Sequence, residues 1–277
     1  MTRTIGIVSR SHRADDARYP KVVRLIEQAG GVVVGEEHLA ESDVVLVLGG
    51  DGTILRAAEY LRGTSIPILG VNFGHVGFLA EADPESLSDV VTRLVKGDYE
   101  VEKRMALDIE VTTPDGRVMR DWALNELAIE KTQRARMVEV AIGIDDHPVS
   151  SFACDALVVS TPTGSTAYAF SGGGPVVWPN VEALLIVPIA AHALFARPMV
   201  VSPESQVQIV MSDLGLIDGE IWCDGRRALA APVGSQVTIT RSEQSVPLAR
   251  LWTAPFSSRL VAKFKLPVHS WRQQETP

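Results

Sequence analysis

The chain has 277 residues, 46% hydrophobic and 22% charged, a composition that suits a globular protein of two domains or one large one. Its 26 Lys and Arg against 34 Asp and Glu leave a formal charge of −8. That acidity argues against nonspecific nucleic-acid binding and against docking on an anionic membrane, but a few backbone amides can still hold a phosphate-bearing small ligand.

Cys154 and Cys223 stand outside any CxxC or Cys/His cluster, so neither a zinc site nor a disulfide framework is indicated. The first residues lack the apolar core of a signal peptide. The most apolar stretch, 183–196, is interrupted by Pro188 and His192 and is too short to span a bilayer. A cytoplasmic location is expected.

Residues 1–100 alternate strand-like and helix-like segments. A short apolar strand is predicted at 4–8. Segment 18–29 then sets Val22, Val23, Leu25, Ile26 and Ala29 at helical spacing and stops at Gly30-Gly31. Strands follow at 32–34 and 43–48. In the second, DVVLVL is a continuous β-branched and apolar run, as in a strand covered on both faces. A helix is predicted at 53–61, a strand at 66–71 and a helix at 84–95. This order predicts a parallel sheet with helices on its faces.

From Tyr99 onward, strand-like stretches follow one another without strong helices: 107–112, 124–130, 138–144, 157–160, 183–187, 207–211, 220–223, 236–240 and 246–252. Turn signals such as Pro114-Asp115-Gly116, Asp145-Asp146, Asp218-Gly219 and Asp224-Gly225 separate them. An all-β, sandwich-like second domain is predicted over 101–252. Near the end, Phe256, Leu260, Val261 and Phe264 lie at helical spacing. That helix is expected to pack back on the first domain, which then comprises 1–100 and 253–277.

Between the strand DVVLVL and the next helix lies Gly49-Gly50-Asp51-Gly52-Thr53. Ligands of open α/β sheets bind at the carboxyl ends of the strands. Glycines let the backbone approach a phosphate there, and a helix N-terminus supplies amides and a favourable dipole. The loop is neither GxGxxG nor GxxxxGK[ST]. Two readings fit it: a tight βα turn with a cap, or a phosphate loop. A carboxylate adds nothing to phosphate binding alone, but it suits phosphoryl transfer if Asp51 accepts a proton or orients a hydroxyl or Mg²⁺. The stretch Asn72-Phe73-Gly74-His75-Val76-Gly77-Phe78-Leu79, at the tip of the next strand, either lines the same crevice or is a glycine-rich connection with its phenylalanines in the core.

The second domain carries Asn125-Glu126, a pair that can hold ribose hydroxyls or a hydrated cation, or simply face solvent at a strand end. After an apolar strand comes a cluster of five hydroxyls, Ser160, Thr161, Thr163, Ser165 and Thr166, followed by Tyr168 and by Ser171-Gly172-Gly173-Gly174. These suit a polar, uncharged ligand such as ribose or an adenine edge, with Tyr168 as a stacking face. His192, alone in AAHALFARP, reads as structural. Arg136 and Arg197 read as surface charges, though Arg136 can meet a ligand phosphate.

Taken in order, GGDGT, NFGHVGFL, the Asn-Glu pair, CDxLVVSTPTGSTAY, SGGGP, AHALFARP and CDGR resemble the NAD kinase family over nearly the whole chain. Related GGDGT loops occur in lipid kinases and phosphofructokinases, whereas TPTGSTAY in this setting is specific. The resemblance implies an α/β first domain, a β-sandwich-like second domain and NAD in the cleft. It implies transfer of the terminal phosphoryl of ATP or polyphosphate to the 2′-hydroxyl of NAD's adenosine ribose. Asp51 would be the catalytic group and Gly49, Gly50, Gly52 and Thr53 the phosphate loop. Asn125, Glu126 and Asp155 would hold ribose hydroxyls. Gly52, Arg56, Arg136, Thr163, Thr166, Ala167, Tyr168, Ala169, Phe170, Ser171, Ala190 and Arg226 would complete the NAD site, with Ala153 towards the nicotinamide end. Mg²⁺ or another divalent cation would accompany ATP, held mainly by its phosphates without a dedicated metal site. NAD would be substrate, so no organic cofactor is implied. The enzyme would bind neither nucleic acid nor membrane and would form a homo-oligomer, dimer or tetramer.

One departure from the family pattern is Asp155-Ala156, where Asp-Gly is usual. If that position has positive φ, the alanine strains the start of the strand. The alternatives to an NAD kinase are a lipid or sugar kinase sharing GGDGT, and a non-catalytic NAD(P) sensor.

Overall fold

A computed structural model describes residues 2–10, 18–72, 77–80, 87–214, 217–251 and 255–267. The chain begins with β1 (Thr4–Ser9), α1 (Tyr19–Gln28), β2 (Val32–Val34), β3 (Val44–Leu48), α2 (Asp51–Tyr60), β4 (Ile68–Val71), α3 (Leu87–Lys96) and β5 (Glu100–Arg104). Twelve antiparallel strands follow: β6 (Leu107–Thr112), β7 (Val118–Ala123), β8 (Glu126–Lys131), β9 (Val138–Ile144), β10 (His147–Cys154), β11 (Ala156–Ser160), then, after the short α4 (Tyr168–Ser171), β12 (Leu184–Ile189), β13 (Met199–Val201), β14 (Val207–Met211), β15 (Gly219–Cys223), β16 (Arg227–Ala231) and β17 (Gln236–Arg241). The chain closes with β18 (Val246–Arg250) and α5 (Phe256–Phe264).

Two units result: residues 1–103 with 246–277, and residues 104–245. The first is built on one sheet in the order β2-β1-β3-β4-β18-β5, with β1, β2, β3, β4 and β18 paired in parallel. Every residue of β3 is buried, as its unbroken apolar run requires for a strand covered on both faces. Ile5, Ile7, Leu46, Leu48 and Leu69 pack with Val22 and Ile26 of α1 and Val90, Val91 and Leu94 of α3.

The predicted domain limit at 252 needs correction. β18 joins the parallel sheet, so the chain is back in the first unit from Val246. The apolar alternation of 246–250 is the same for a strand of either sheet, and only the pairing of Leu248 with Ile68 decides. α5 belongs to this unit, as expected. Phe78 lies 5.7 Å from Phe256 and 5.9 Å from Phe264, ring centre to ring centre.

The second unit is two six-stranded antiparallel sheets, β10-β9-β14-β17-β6-β7 and β13-β12-β11-β8-β15-β16. They share one core: Ile109, Val140, Ile209 and Ile239 of the first sheet pack with Leu127, Ile129, Val159 and Ile186 of the second. Strand side chains alternate between faces. With Leu127 and Ile129 turned inward, Glu126, Ala128 and Glu130 fall on the outer face, where Ala128, Val158, Leu185 and Val187 pack with Tyr168 and Ala169. Among the described residues, no helix is long and apolar enough to cross a membrane.

Candidate active site

In the first unit the chain leaves β3 through Gly49, whose amide donates to the Val71 carbonyl at 3.0 Å. A Cβ on Gly49 would overlap the Thr53 hydroxyl, so this position needs glycine. The amides of Thr53 and Ile54 both donate to Gly50 O, at 2.9 and 3.2 Å, which starts α2 at Asp51. The amides of Asp51 and Gly52, in the first turn, have no carbonyl partner within the helix. A Cβ on Gly52 would meet nothing within 4 Å among the described residues. This is an open helix N-terminus with the dipole and amides that attract phosphate.

The Asp51 carboxylate turns back across the loop. Oδ2 accepts the Phe78 amide at 3.0 Å, and Oδ1 accepts those of Leu79 at 3.0 Å and Ala80 at 3.3 Å. A Cβ on Gly77 would strike Oδ1. The glycine and the backbone of the second predicted motif therefore serve Asp51, and Phe78 is buried in the core. Phe73, Gly74, His75 and Val76 lie outside the described residues. Arg56 donates to the Ser9 carbonyl and stands 3.7 Å from Glu36.

In the second unit, Asn125 and Glu126 are almost fully buried. Their backbone is held from two sides. Asp224, at the tip of the β15–β16 hairpin, accepts the Leu124 amide at 3.0 Å and the Asn125 amide at 2.7 Å, and its own amide donates to Glu126 O at 2.9 Å. The other side is the loop after β11. Thr161 N donates to Asn125 O at 2.9 Å, Ser160 Oγ donates to the same oxygen at 3.1 Å, and Thr161 Oγ1 donates to Leu124 O at 2.6 Å.

These bonds correct one expectation. Ser160, Thr161 and Ser165 are fully buried and their hydroxyls bond backbone, Ser165 Oγ reaching Pro162 O at 2.7 Å. They knit the loop together and do not face a ligand. Thr166 Oγ1 donates to Thr163 O at 3.3 Å, and Thr163 Oγ1 accepts from Arg104 at 3.3 Å. Gly164 is tight against Asn125, since a Cβ there would overlap the Asn125 carbonyl.

Glu126 Oε2 is buried with no hydrogen-bond partner. Burial first, and the charge of Asp224 second, push the Glu126 carboxyl up to about 8, against one stabilising bond from the Tyr168 amide. Asp224 is also raised by burial, opposed by the two amides it accepts and by Arg227. Tyr168 donates its hydroxyl to Glu130 and is raised by burial, then by the charges of Glu130, Asp155 and Glu126. Carboxylates thus surround the tyrosine on the outer face of β8. Sequence reasoning missed Glu130 and Asp224. The period of two from Glu126 through Ala128 points to Glu130, whereas Asp224 registers in the sequence only as a turn residue.

Asp155 sits between β10 and β11 and its carboxylate pairs with Lys131. Ala153 O accepts the amide of His192 at 2.8 Å, so His192 acts here through its backbone. Ala190 is exposed and left-handed, with φ of 49°, a strained setting for a residue with a Cβ. Ala167 leads into α4, where Ala169 is buried while Phe170 and Ser171 are exposed. Arg136 and Arg226 are exposed. Ala156 is not among the residues with positive φ and pairs with Glu130 and Ile189 as an ordinary strand position. The anticipated strain at this departure from the family pattern is therefore absent.

Two family models together match most of the chain. Residues 10–99 match the family model described as ATP-NAD kinase N-terminal domain, and residues 124–251 match ATP-NAD kinase C-terminal domain. The chain is 54% identical over 243 residues to an NAD kinase of Thermobifida fusca, covering 86% of this chain and 74% of that one. It is 50% identical over 268 residues to NAD kinase 2 of Streptomyces coelicolor, covering 97% and 87%. An Archaeoglobus fulgidus NAD kinase crystallised with ATP superposes with a TM-score of 0.78 at 30% identity, covering 95% of this chain and 98% of that one. A yeast NADH kinase with NADH shares the fold, with a TM-score of 0.86 at 19% identity over 99% and 90% of the two chains.

Proposed function

We propose that this chain, which belongs to the NAD kinase family and is therefore a phosphotransferase, transfers the terminal phosphoryl of ATP or polyphosphate to the 2′-hydroxyl of NAD's adenosine ribose. The 2′-oxygen bonds to the terminal phosphorus, the bond from that phosphorus to its bridging oxygen breaks, and the hydroxyl proton leaves. The observation that carries this reading is the open head of α2. Among the described residues nothing lies within 4 Å of a Cβ on Gly52, and the first-turn amides and helix dipole can stabilise phosphate charge as it redistributes.

Asp51 is assigned to orienting the attacking hydroxyl. A carboxylate offers about four acceptor sites, and three backbone amides occupy sites on Asp51. They fix its direction and leave capacity for one more donor. In the second unit, Asn125, Glu126 and Asp155 are assigned to ribose hydroxyls, and Tyr168 to packing near a base. Thr163, Thr166, Ala167, Ala169, Phe170, Ser171, Ala153, Ala190, Arg56, Arg136 and Arg226 are assigned to the remaining contacts.

Mg²⁺, when bound with the donor, would neutralise charge on its phosphates. Among the described residues no three His, Cys, Asp or Glu side chains converge in a metal-holding group. Mg²⁺ also commonly binds through substrate phosphates, so the donor is proposed to carry it in. Leu194 and Phe195 are exposed, as suits a homo-oligomer, and a cytoplasmic location is proposed with it. The test is incubation with NAD, Mg²⁺ and either ATP or polyphosphate, with phosphorus NMR to locate the new phosphate. Product bearing a 2′-phosphate is expected. No product with either donor, or phosphate elsewhere on NAD, overturns the reading.

A further inference from the structure

Three carboxylates, Glu126, Glu130 and Asp155, act on the one hydroxyl of Tyr168. Asp155 is held through both its backbone and its side chain. Its amide donates to Ile189 O at 3.0 Å, and its carbonyl accepts the Lys131 amide at 3.2 Å. Its Oδ1 takes the Lys131 ammonium at 2.5 Å. The aspartate side chain is 41% exposed and the lysine side chain 23%. The lysine side chain is therefore the more covered of the two, while the aspartate side chain keeps an accessible side. Among the described residues, Lys131 makes the one ion pair to these three carboxylates.

We infer that Lys131 is a positioning residue for substrate binding: it anchors Oδ1 of Asp155 so that Oδ2 is aimed and free to accept a ribose hydroxyl. This rests on the NAD kinase reading above. Lys131 ends β8, the strand that begins with Glu126, so one strand supplies one ribose ligand directly and holds a second in place through its far end. The anchoring charge belongs to the protein, which leaves the other carboxylate oxygen to the substrate. An arginine can keep this arrangement; a methionine of similar length cannot.

The test uses the full chain and measures NAD phosphorylation at saturating donor. Lys131→Met is expected to raise KM for NAD about five- to tenfold with kcat within about twofold, and Lys131→Arg to recover most of the loss. In an Asp155→Asn background the Lys131 change is expected to add little, as for residues acting through one contact. Rising salt is expected to raise KM in the wild type more than in Lys131→Met, because only the wild type has an ion pair to screen. Unchanged KM in Lys131→Met, independent multiplication of the two effects, or parallel losses of kcat, KM and melting temperature that arginine does not rescue would each overturn the positioning role while leaving the NAD kinase reading intact. A wild type that does not phosphorylate NAD removes that reading and this role together.

Discussion

Loop 49–53 of the first unit, GGDGT, and loop 161–167 of the second, TPTGSTA, are both built mainly of small residues, and both follow a fully buried strand. Among the described residues nothing lies within 4 Å of a Cβ on Gly52, while the methyl of an alanine at 164 would overlap Asn125. The first loop keeps backbone amides unspent at a helix start. The second spends the hydroxyls of Thr161 and Ser165 on Leu124 O and Pro162 O. A small-residue loop after a buried strand can thus be a ligand surface, or the mortar that presents a neighbouring residue as one. Composition does not distinguish them; the space beside the glycine does.

The sharpest test of the open loop is Asp51→Asn. An amide group turns an NH₂ towards at least one of the three backbone amides now bonded, so some thermal stability is lost. The larger effect falls on the hydroxyl: kcat is expected to drop about 10²–10⁴-fold with little change in NAD affinity. Single-turnover kinetics beside calorimetric binding separate the two. Near-normal kcat would remove Asp51 from the chemistry.

The filled loop supports a strand whose first residue is a buried acid, and pH reads that. The folded-state pKa of Glu126, about 8, lies above its ordinary 4.5, so folding takes up a proton between those values. Its contribution to stability is full below about 4.5 and is lost as pH rises through about 8. Full ionisation costs on the order of a few kcal/mol. Glu126→Gln, neutral at every pH, is expected to flatten that decline in urea titrations of the ligand-free protein from pH 5 to 9. Parallel slopes for the two proteins would show that Glu126 ionises freely.

Alanine at each loop glycine contrasts the two directly. Gly164→Ala must displace backbone and is expected to cost about 1–3 kcal/mol. Gly52→Ala meets open space in a helix and is expected to gain up to about 1 kcal/mol. Its methyl stands where a phosphate would approach, so kcat/KM is expected to fall about tenfold or more. Melting curves paired with kcat/KM give both signs. A Gly52→Ala variant that is both more stable and fully active would mean that no phosphate approaches there.

The smallest expected effect is at Ala156. At an ordinary strand position, Ala156→Gly is expected to destabilise by about 1 kcal/mol. A rise in melting temperature would restore the strain that the backbone does not display.

Much of this was legible in the residues. Unbroken DVVLVL could hardly be anything but a covered strand, and Gly49 to Thr53 stood out at its end. The strands without an apolar signature were lost. Glu100–Arg104 has one buried residue, and Arg227–Ala231 also has one, because both lie at sheet edges where one face and one side need no apolar cover. Ser160, Thr161 and Ser165 did not declare themselves as loop supports, because a hydroxyl bonded to backbone and one bonded to a ligand are spelled alike. Lys131 and Asp224 escaped because their work is done through pairing partners 24 and 100 residues away.

β18 lies between β4 and β5 in the first sheet, although residues 104–245 separate it from β5 along the chain. During synthesis from the N-terminus, both strands therefore wait with unpaired edges until Arg250 has emerged. The second unit is under no such constraint. Its ends are tied together by Ser242 N donating to Ala106 O at 2.8 Å and by the adjacent strands β6 and β17, so it can close as soon as Ser245 is made. The order of birth is then inverted: the half that begins the chain is the last to mature, and a ribosome stalled before β18 leaves a finished sandwich hanging from a sticky, incomplete sheet.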